Sequence, residues 1–190
     1  MAEIKAIETF YNGYRFRSRT EARWAVFMDL AGIPYMYEPE GFKLPDGTLY
    51  LPDFYLKDQD TFLECKGVMD KKDRHKIYEF AKAFTKENEK EIIIGYPDMK
   101  FEIVWCEENN TGHPKLVSCK ENWICRCREC GKIFFLQQYY GWQCRCCGYY
   151  DGDSGFDVLY NPEPYGENDY MPIIKAKQAR FEHGESGIIG

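Results

Sequence analysis

The stretch Y50-LPDFYLKDQDTFLECKG-67 decides how this chain is read. Two strand-like runs, TLYLPDFYL (48–56) and TFLECKG (61–67), flank the hairpin loop YLKDQDT. They carry Asp53, Glu64 and Lys66, charged groups that are costly to desolvate on half-buried strands. In Glu64-x-Lys66 the two side chains stand two residues apart and point to one sheet face. Asp53 can join them from the neighbouring strand. Such a set is either a salt-bridged cluster or a metal site.

Working outward, SRTEARWAVFMDLAG (18–32) reads as a helix. Ser18 or Thr20 can cap it, and Ala22, Trp24–Phe27 and Leu30–Ala31 form its apolar face. Gly32 closes it and Pro34 stops it. IPYMYEPEGF (33–42) reads as a first strand, and Asp46-Gly47 as a turn into the second. Residues 69–90 form a helix with Ile77, Phe80, Ala81 and Phe84 on one face. EIIIGY (91–96) is a buried strand and KFEIVWC (100–106) another. The order, helix, three strands, helix, strand and a further strand, predicts an α/β protein with a central mixed sheet flanked by helices.

Two carboxylates around one point, with a backbone carbonyl near, suit Mg²⁺ or Mn²⁺. A lysine beside such an ion can orient water or stabilise charge on a phosphoryl oxygen. Pro52-Asp53, ten residues, then Glu64-x-Lys66 resembles the motif of the PD-(D/E)xK nuclease superfamily. The helix RSRTEARWAVFMDLAGI followed by YEPE resembles phage- and transposon-encoded members with a glutamate on the first helix. The resemblance spans roughly residues 14–105 and implies a restriction-endonuclease-like αβββαβ core. It implies Glu21, Asp53 and Glu64 as metal ligands, the Cys65 carbonyl as a further one, and Lys66 as the catalytic lysine. The implied activity is metal-dependent hydrolysis of DNA phosphodiesters, on branched DNA or the DNA of phages and mobile elements. RNA as substrate stays open, as does a homodimer.

Without that resemblance, Asp53 reads as a turn residue after Pro52, and Glu64 with Lys66 as an exposed pair. Glu38 and Glu40 alternate on the first strand, as a solvated strand face or with one of them pointing at the metal. Arg15, Arg17, Arg19 and Arg23 crowd around Glu21; they suit a DNA backbone or balance neighbouring acids. Lys72, Arg74 and Lys76, with Lys71 and His75, open the second helix as another phosphate track or a plain solvent face.

Nine cysteines are odd in number, and seven fall within 119–147. A secreted disulfide scaffold carries an even, spread set. Cys127-x₂-Cys130 and Cys144-x₂-Cys147, 13 residues apart and each pair followed by glycine, predict a Zn²⁺ ribbon. Cys125 and Cys146 leave the ligand register open, and an iron–sulfur cluster is the alternative. The module's aromatic and basic residues suit nucleic acid, or form its core. The expected organisation is a nuclease core over 1–110, a linker over 107–116, a cysteine module over 117–150, and an acidic, turn-rich segment with a short helix over 151–190.

Composition fits an ordered globular chain, 44% hydrophobic and 17% aromatic. A net charge of −6 argues against a generally basic nucleic-acid coat. With no run of 18 apolar residues and no signal-peptide core, the expectation is a soluble, cytoplasmic protein with no membrane partner, in a bacterial host if phage-encoded. The competing class is a non-catalytic adaptor whose ribbon binds nucleic acid or docks a replication or transcription protein.

Overall fold

A computed structural model describes residues 7–85, 91–108, 114–119, 122–137, 142–150, 152, 155–162 and 169–181. The central sheet has six strands: β3 (Tyr35–Tyr37), β6 (Phe54–Leu56), β7 (Thr61–Cys65), β8 (Ile92–Gly95), β9 (Phe101–Glu108) and β10 (Pro114–Cys119). Their spatial order is β10-β9-β8-β7-β6-β3. The β7–β8 pair is parallel and the others are antiparallel, so the sheet is mixed.

Period-2 alternation sets what each face meets. Leu63, Ile93 and Ile103 pack with Phe27 and Met28 of α1 (Arg19–Ala31). Phe62, Ile92, Ile94 and Val104 pack with Ile77, Phe80 and Ala81 of α2 (Lys71–Thr85). The two helices thus cover opposite faces. Ser18 caps α1 through its side chain, which accepts from the Glu21 N–H, and Gly32 ends it in the left-handed conformation at φ 69°. Gly95 is required by close approach: a Cβ there would stand 2.5 Å from Trp24 Cε2. The expected helix end at 86–90 lies outside the described residues.

Several elements differ from the expectations. YNGY forms an N-terminal hairpin, β1 (Thr9–Tyr11) and β2 (Tyr14–Phe16). Asn12 and Gly13 both take positive φ, the geometry of a two-residue hairpin turn. The run 48–56 splits into β5 (Leu49–Tyr50), paired with β4 (Phe42–Lys43), and β6. Pro52, which has no N–H to donate, lies in the break. The segment expected as a linker is occupied at both ends by strand, since β9 runs to Glu108 and β10 starts at Pro114.

The cysteine module is built on a three-stranded sheet, β12-β11-β13, from β11 (Asn122–Cys127), β12 (Ile133–Gln137) and β13 (Phe156–Tyr160). Strand β13 comes from the segment expected to be acidic and turn-rich. Its Phe156 and Tyr160 are buried, which the surrounding Asp and Gly residues obscured. Ile124, Phe135 and Tyr160 join the same buried cluster as Trp24 and Phe27, and Ile173 and Ala176 of α3 (Met171–Gln178) complete it. Among the described residues, no helix is long and apolar enough to cross a membrane.

Candidate metal centres

The β6–β7 register pairs Phe54 with Leu63, and continuing it sets Asp53 opposite Glu64. Both side chains then share the face of Tyr55 and Phe62, at the end where the strands leave the hairpin. Both residues are buried. The Asp53 N–H donates to Glu64 Oε2 at 3.3 Å, and the Cys65 N–H donates to Asp53 Oδ2 at 2.7 Å.

Two side-chain cations stand on the remaining oxygens. Arg17 Nη2 lies 2.7 Å from Asp53 Oδ1, and its Nε lies 2.8 Å from Glu38 Oε1. Lys66 Nζ lies 2.8 Å from Glu64 Oε1 and 3.3 Å from Asp73 Oδ1. Burial pushes the Asp53 carboxyl well above its ordinary pKa, and Glu64 and Glu21 add to this. The Cys65 N–H and Arg17 offset only part of it. Burial works against the Lys66 charge, but Glu64, Asp73 and Asp53 outweigh it and hold its pKa above the ordinary lysine value.

Glu21 is held by its own surroundings. Its Oε1 accepts from Ser18 Oγ at 2.7 Å, and Oε2 accepts from the Arg17 N–H at 2.9 Å and from Tyr37 Oη at 2.7 Å. Ser18 at the N-cap and Glu21 three residues on have the spacing of a capping box, and the Ser18 side chain accepts from the Glu21 N–H. Among the described residues, the one group of three or more His, Cys, Asp or Glu with ligand atoms all within 4.8 Å of one another is a cysteine set. Glu21, Asp53 and Glu64 do not close to that spacing. Burial first, then the Glu21 contact, holds the Tyr37 hydroxyl protonated, with its pKa raised.

The donor set of Asp53 and Glu64 fits a hard divalent cation. All its ligand atoms are oxygen, both carboxylates are desolvated, and a guanidinium and an ammonium already compensate them. Five carboxylates, Glu21, Glu38, Asp53, Glu64 and Asp73, share those two cations at this end of the sheet.

Tyr37 and Asp73 were not picked out by sequence, and Glu38 only as a weaker candidate beside Glu40. Glu38, expected on a solvated face, instead holds Arg17. Its φ of 44° is rare for a residue with a Cβ and costs about 1–2 kcal/mol. Its N–H donates to the Asp53 carbonyl at 2.8 Å, which fixes that turn. The signal available was YEPE itself, where two prolyl-flanked carboxylates follow a strand of only three residues.

The other arginines separate. Arg15 pairs with Glu8. Arg19 is half-buried in the first turn of α1. Arg23 lies on the other side of α1 from Glu21, lining a crevice with Lys177 and Arg180. On α2, Lys72, Arg74 and Lys76 are exposed, and Arg74 borders a cleft with Gly67, Tyr96 and Lys100.

In the cysteine module, Cys127, Cys130, Cys144 and Cys147 form that compact set. The Cys127–Cys147 and Cys130–Cys144 sulfurs lie 3.9 and 3.8 Å apart. A tetrahedral site with Zn–S bonds of about 2.3 Å spaces its sulfurs by about 3.8 Å, so the four could hold a metal such as zinc. The two knuckles repeat one geometry. Gly131 donates to the Cys127 carbonyl and Gly148 to the Cys144 carbonyl, both at 2.9 Å, with φ of 71° and 74°. Burial disfavours the Cys127 thiolate, but backbone N–H groups of Cys130 and Glu129 outweigh it and lower the pKa. Cys125 is instead buried among Phe134, Leu136 and Phe156, and Cys146 stays out of the set.

Three of the module's basic side chains face acids. Lys132 pairs with Asp58, Arg145 with Glu91 and Arg128 with Asp157. The first two tie the module to the central sheet's loops. Phe134, Phe135, Trp123 and Trp142 pack in buried clusters; Lys120, Tyr139 and Tyr140 lie outside the described residues. Compared with protein-family models and with curated proteins, the chain matches none.

Proposed function

We propose that the chain is a divalent-metal-dependent endonuclease of the PD-(D/E)xK type that hydrolyses DNA phosphodiesters and carries a structural zinc ribbon. The observation that carries this reading is the pairing of Asp53 and Glu64 directly across β6–β7, buried, with Lys66 on Glu64. Arg17 and Lys66 compensate the buried pair in the protein as it stands, and two desolvated carboxylates held side by side are oxygen donors of the kind a hard divalent cation takes. Asp53, Glu64 and the Cys65 carbonyl would hold Mg²⁺ or Mn²⁺, with Glu21 as a further carboxylate close enough to act on Asp53. When bound, the ion supplies Lewis-acid stabilisation of the phosphoryl oxygens.

Lys66 acts as a fixed cation. Its raised pKa keeps it protonated at neutral pH, so it donates hydrogen bonds to a water or a phosphoryl oxygen and takes no proton itself. Asp73 pins it from the first turn of α2. The ribbon's role is architectural, because its strands supply part of the main core and Lys132 and Arg145 face acids of the chain.

The test is an assay on supercoiled, linear, single-stranded and four-way-junction DNA with Mg²⁺ or Mn²⁺, and on RNA. Asp53→Ala and Lys66→Ala are run alongside. Cleavage that needs the metal and is lost in both variants supports the reading. No cleavage of any substrate by folded, zinc-loaded protein would favour a non-catalytic adaptor.

A further inference from the structure

Arg17 stands where a divalent cation and a polyanionic substrate both have reason to displace it. Its Nη2 occupies Asp53 Oδ1, the oxygen left over once the Cys65 N–H has taken Oδ2. A cation entering between Asp53 and Glu64 competes for that same oxygen. The Arg17 side chain is also 53% exposed, so it is open to solution while the carboxylate it covers is not. Nor is it anchored at Asp53 alone. Nε bridges to Glu38, whose left-handed backbone is held by the Asp53 carbonyl, and the Arg17 N–H is fixed on Glu21. Loss of the Asp53 contact therefore leaves the guanidinium tethered at the rim of the site, with its Nη donors released.

On this basis, and resting on the nuclease reading above, we infer that Arg17 is a metal-released phosphate clamp. In the metal-free protein it serves as the counter-cation of Asp53. Divalent metal displaces it from Asp53, and the freed guanidinium, kept at the rim by Glu38, binds a non-bridging phosphate oxygen of the nucleic-acid backbone. Arginine suits this exchange because its forked donors match carboxylate and phosphate geometry alike. The arrangement couples metal and substrate: each lowers the cost of moving Arg17 for the other. It also shields the desolvated carboxylate in the absence of metal.

The clamp makes a prediction that a merely structural arginine does not. Loss of any cation beside Asp53 strengthens Mg²⁺ binding by removing repulsion, so the readout peculiar to the clamp is a loss of DNA affinity confined to the metal-loaded protein. Zinc-loaded, full-length wild type, Arg17→Gln and Arg17→Lys are titrated with Mg²⁺ by calorimetry without DNA. Asp53→Asn identifies the heat that belongs to this site. Zinc content and melting temperature report folding, and Arg17→Lys keeps the charge while losing the two-armed bridge, so it serves if Arg17→Gln does not fold. DNA affinity is then measured by fluorescence anisotropy in Ca²⁺ and in divalent-free buffer.

The expected result is Mg²⁺ affinity about fivefold tighter in Arg17→Gln, with DNA affinity in Ca²⁺ about tenfold weaker and that in divalent-free buffer little changed. Arg17→Lys falls between. Unchanged or weaker Mg²⁺ binding, or DNA affinity in Ca²⁺ that does not fall, in the folded variants overturns the clamp and leaves the nuclease reading standing. Absence of Asp53-dependent Mg²⁺ binding in wild type removes both.

Discussion

Asp53 and Glu64 face each other across β6 and β7, linked by a 3.3 Å contact from the Asp53 N–H to Glu64 Oε2. Antiparallel pairing sets them there, with Phe54 opposite Leu63 as the adjacent step of the ladder. The same pairing that buries Phe54 and Leu63 on the α1 side turns the two carboxylates to the other side, where they meet Lys66 and Asp73.

Lys66 depends on Asp73 for its aim. Asp73→Asn is expected to lower the cleavage rate about tenfold while DNA affinity holds, since it frees the ammonium without removing it. Lys66→Met is expected to lower it by on the order of 10³-fold. Single-turnover rates beside binding isotherms check both.

Asp53 gives the site a pH dependence with a definite sign. Its ordinary value is 3.8, and burial with Glu64 and Glu21 raises it well above that in the fold. A carboxyl raised on folding costs stability above its folded pKa; that cost is relieved as pH falls through the folded value, and is gone below 3.8. Without divalent metal, Asp53→Asn is therefore expected to be more stable than wild type near about pH 8, with the gap closing on acidification. Urea melts across that range, in ion-exchange-scrubbed buffer, check it; EDTA is unsuitable because it also attacks the cysteine site.

The cysteine site is expected to hold one zinc per chain. Cys127→Ala should lose it, whereas Cys146→Ser should keep it, because Cys146 stands outside the set. Loss of the metal should cost several kcal/mol and lower the melting temperature of the whole chain, since Ile124, Phe135 and Tyr160 belong to the main core. Metal analysis with calorimetric melts distinguishes this from a detachable module, whose loss would leave a second transition unmoved.

Gly95→Ala tests the close packing of α1 on the sheet. The added Cβ would meet the Trp24 ring at 2.5 Å, and overpacking of this kind costs about 1–3 kcal/mol. Urea denaturation should show a lower midpoint with an unchanged slope. A neutral result would mean that Trp24 can shift.

Local chemistry carried much of this in the sequence. Ser18 and Gly32 delimit α1 because a capping oxygen and a left-handed glycine are local requirements. The two Cys-x-x-Cys-Gly knuckles, the hairpin around 57–60 and the same-face relation of Glu64 and Lys66 are equally local. Asn12-Gly13 between tyrosines was as legible a hairpin signal as any, though it stood outside the α/β pattern. Tertiary structure decided what depends on residues far apart in the chain. Strand β13 was hidden because its burial comes from pairing with β11, not from its own acidic neighbourhood. The choice of Cys127 and Cys147 over Cys125 and Cys146 follows from which sulfurs the two knuckles bring within reach of one another. And Arg17, one arginine among four near Glu21, was singled out only when folding carried Asp53 and Glu38 to its guanidinium, because a charge finds its partner by distance in space and not along the sequence.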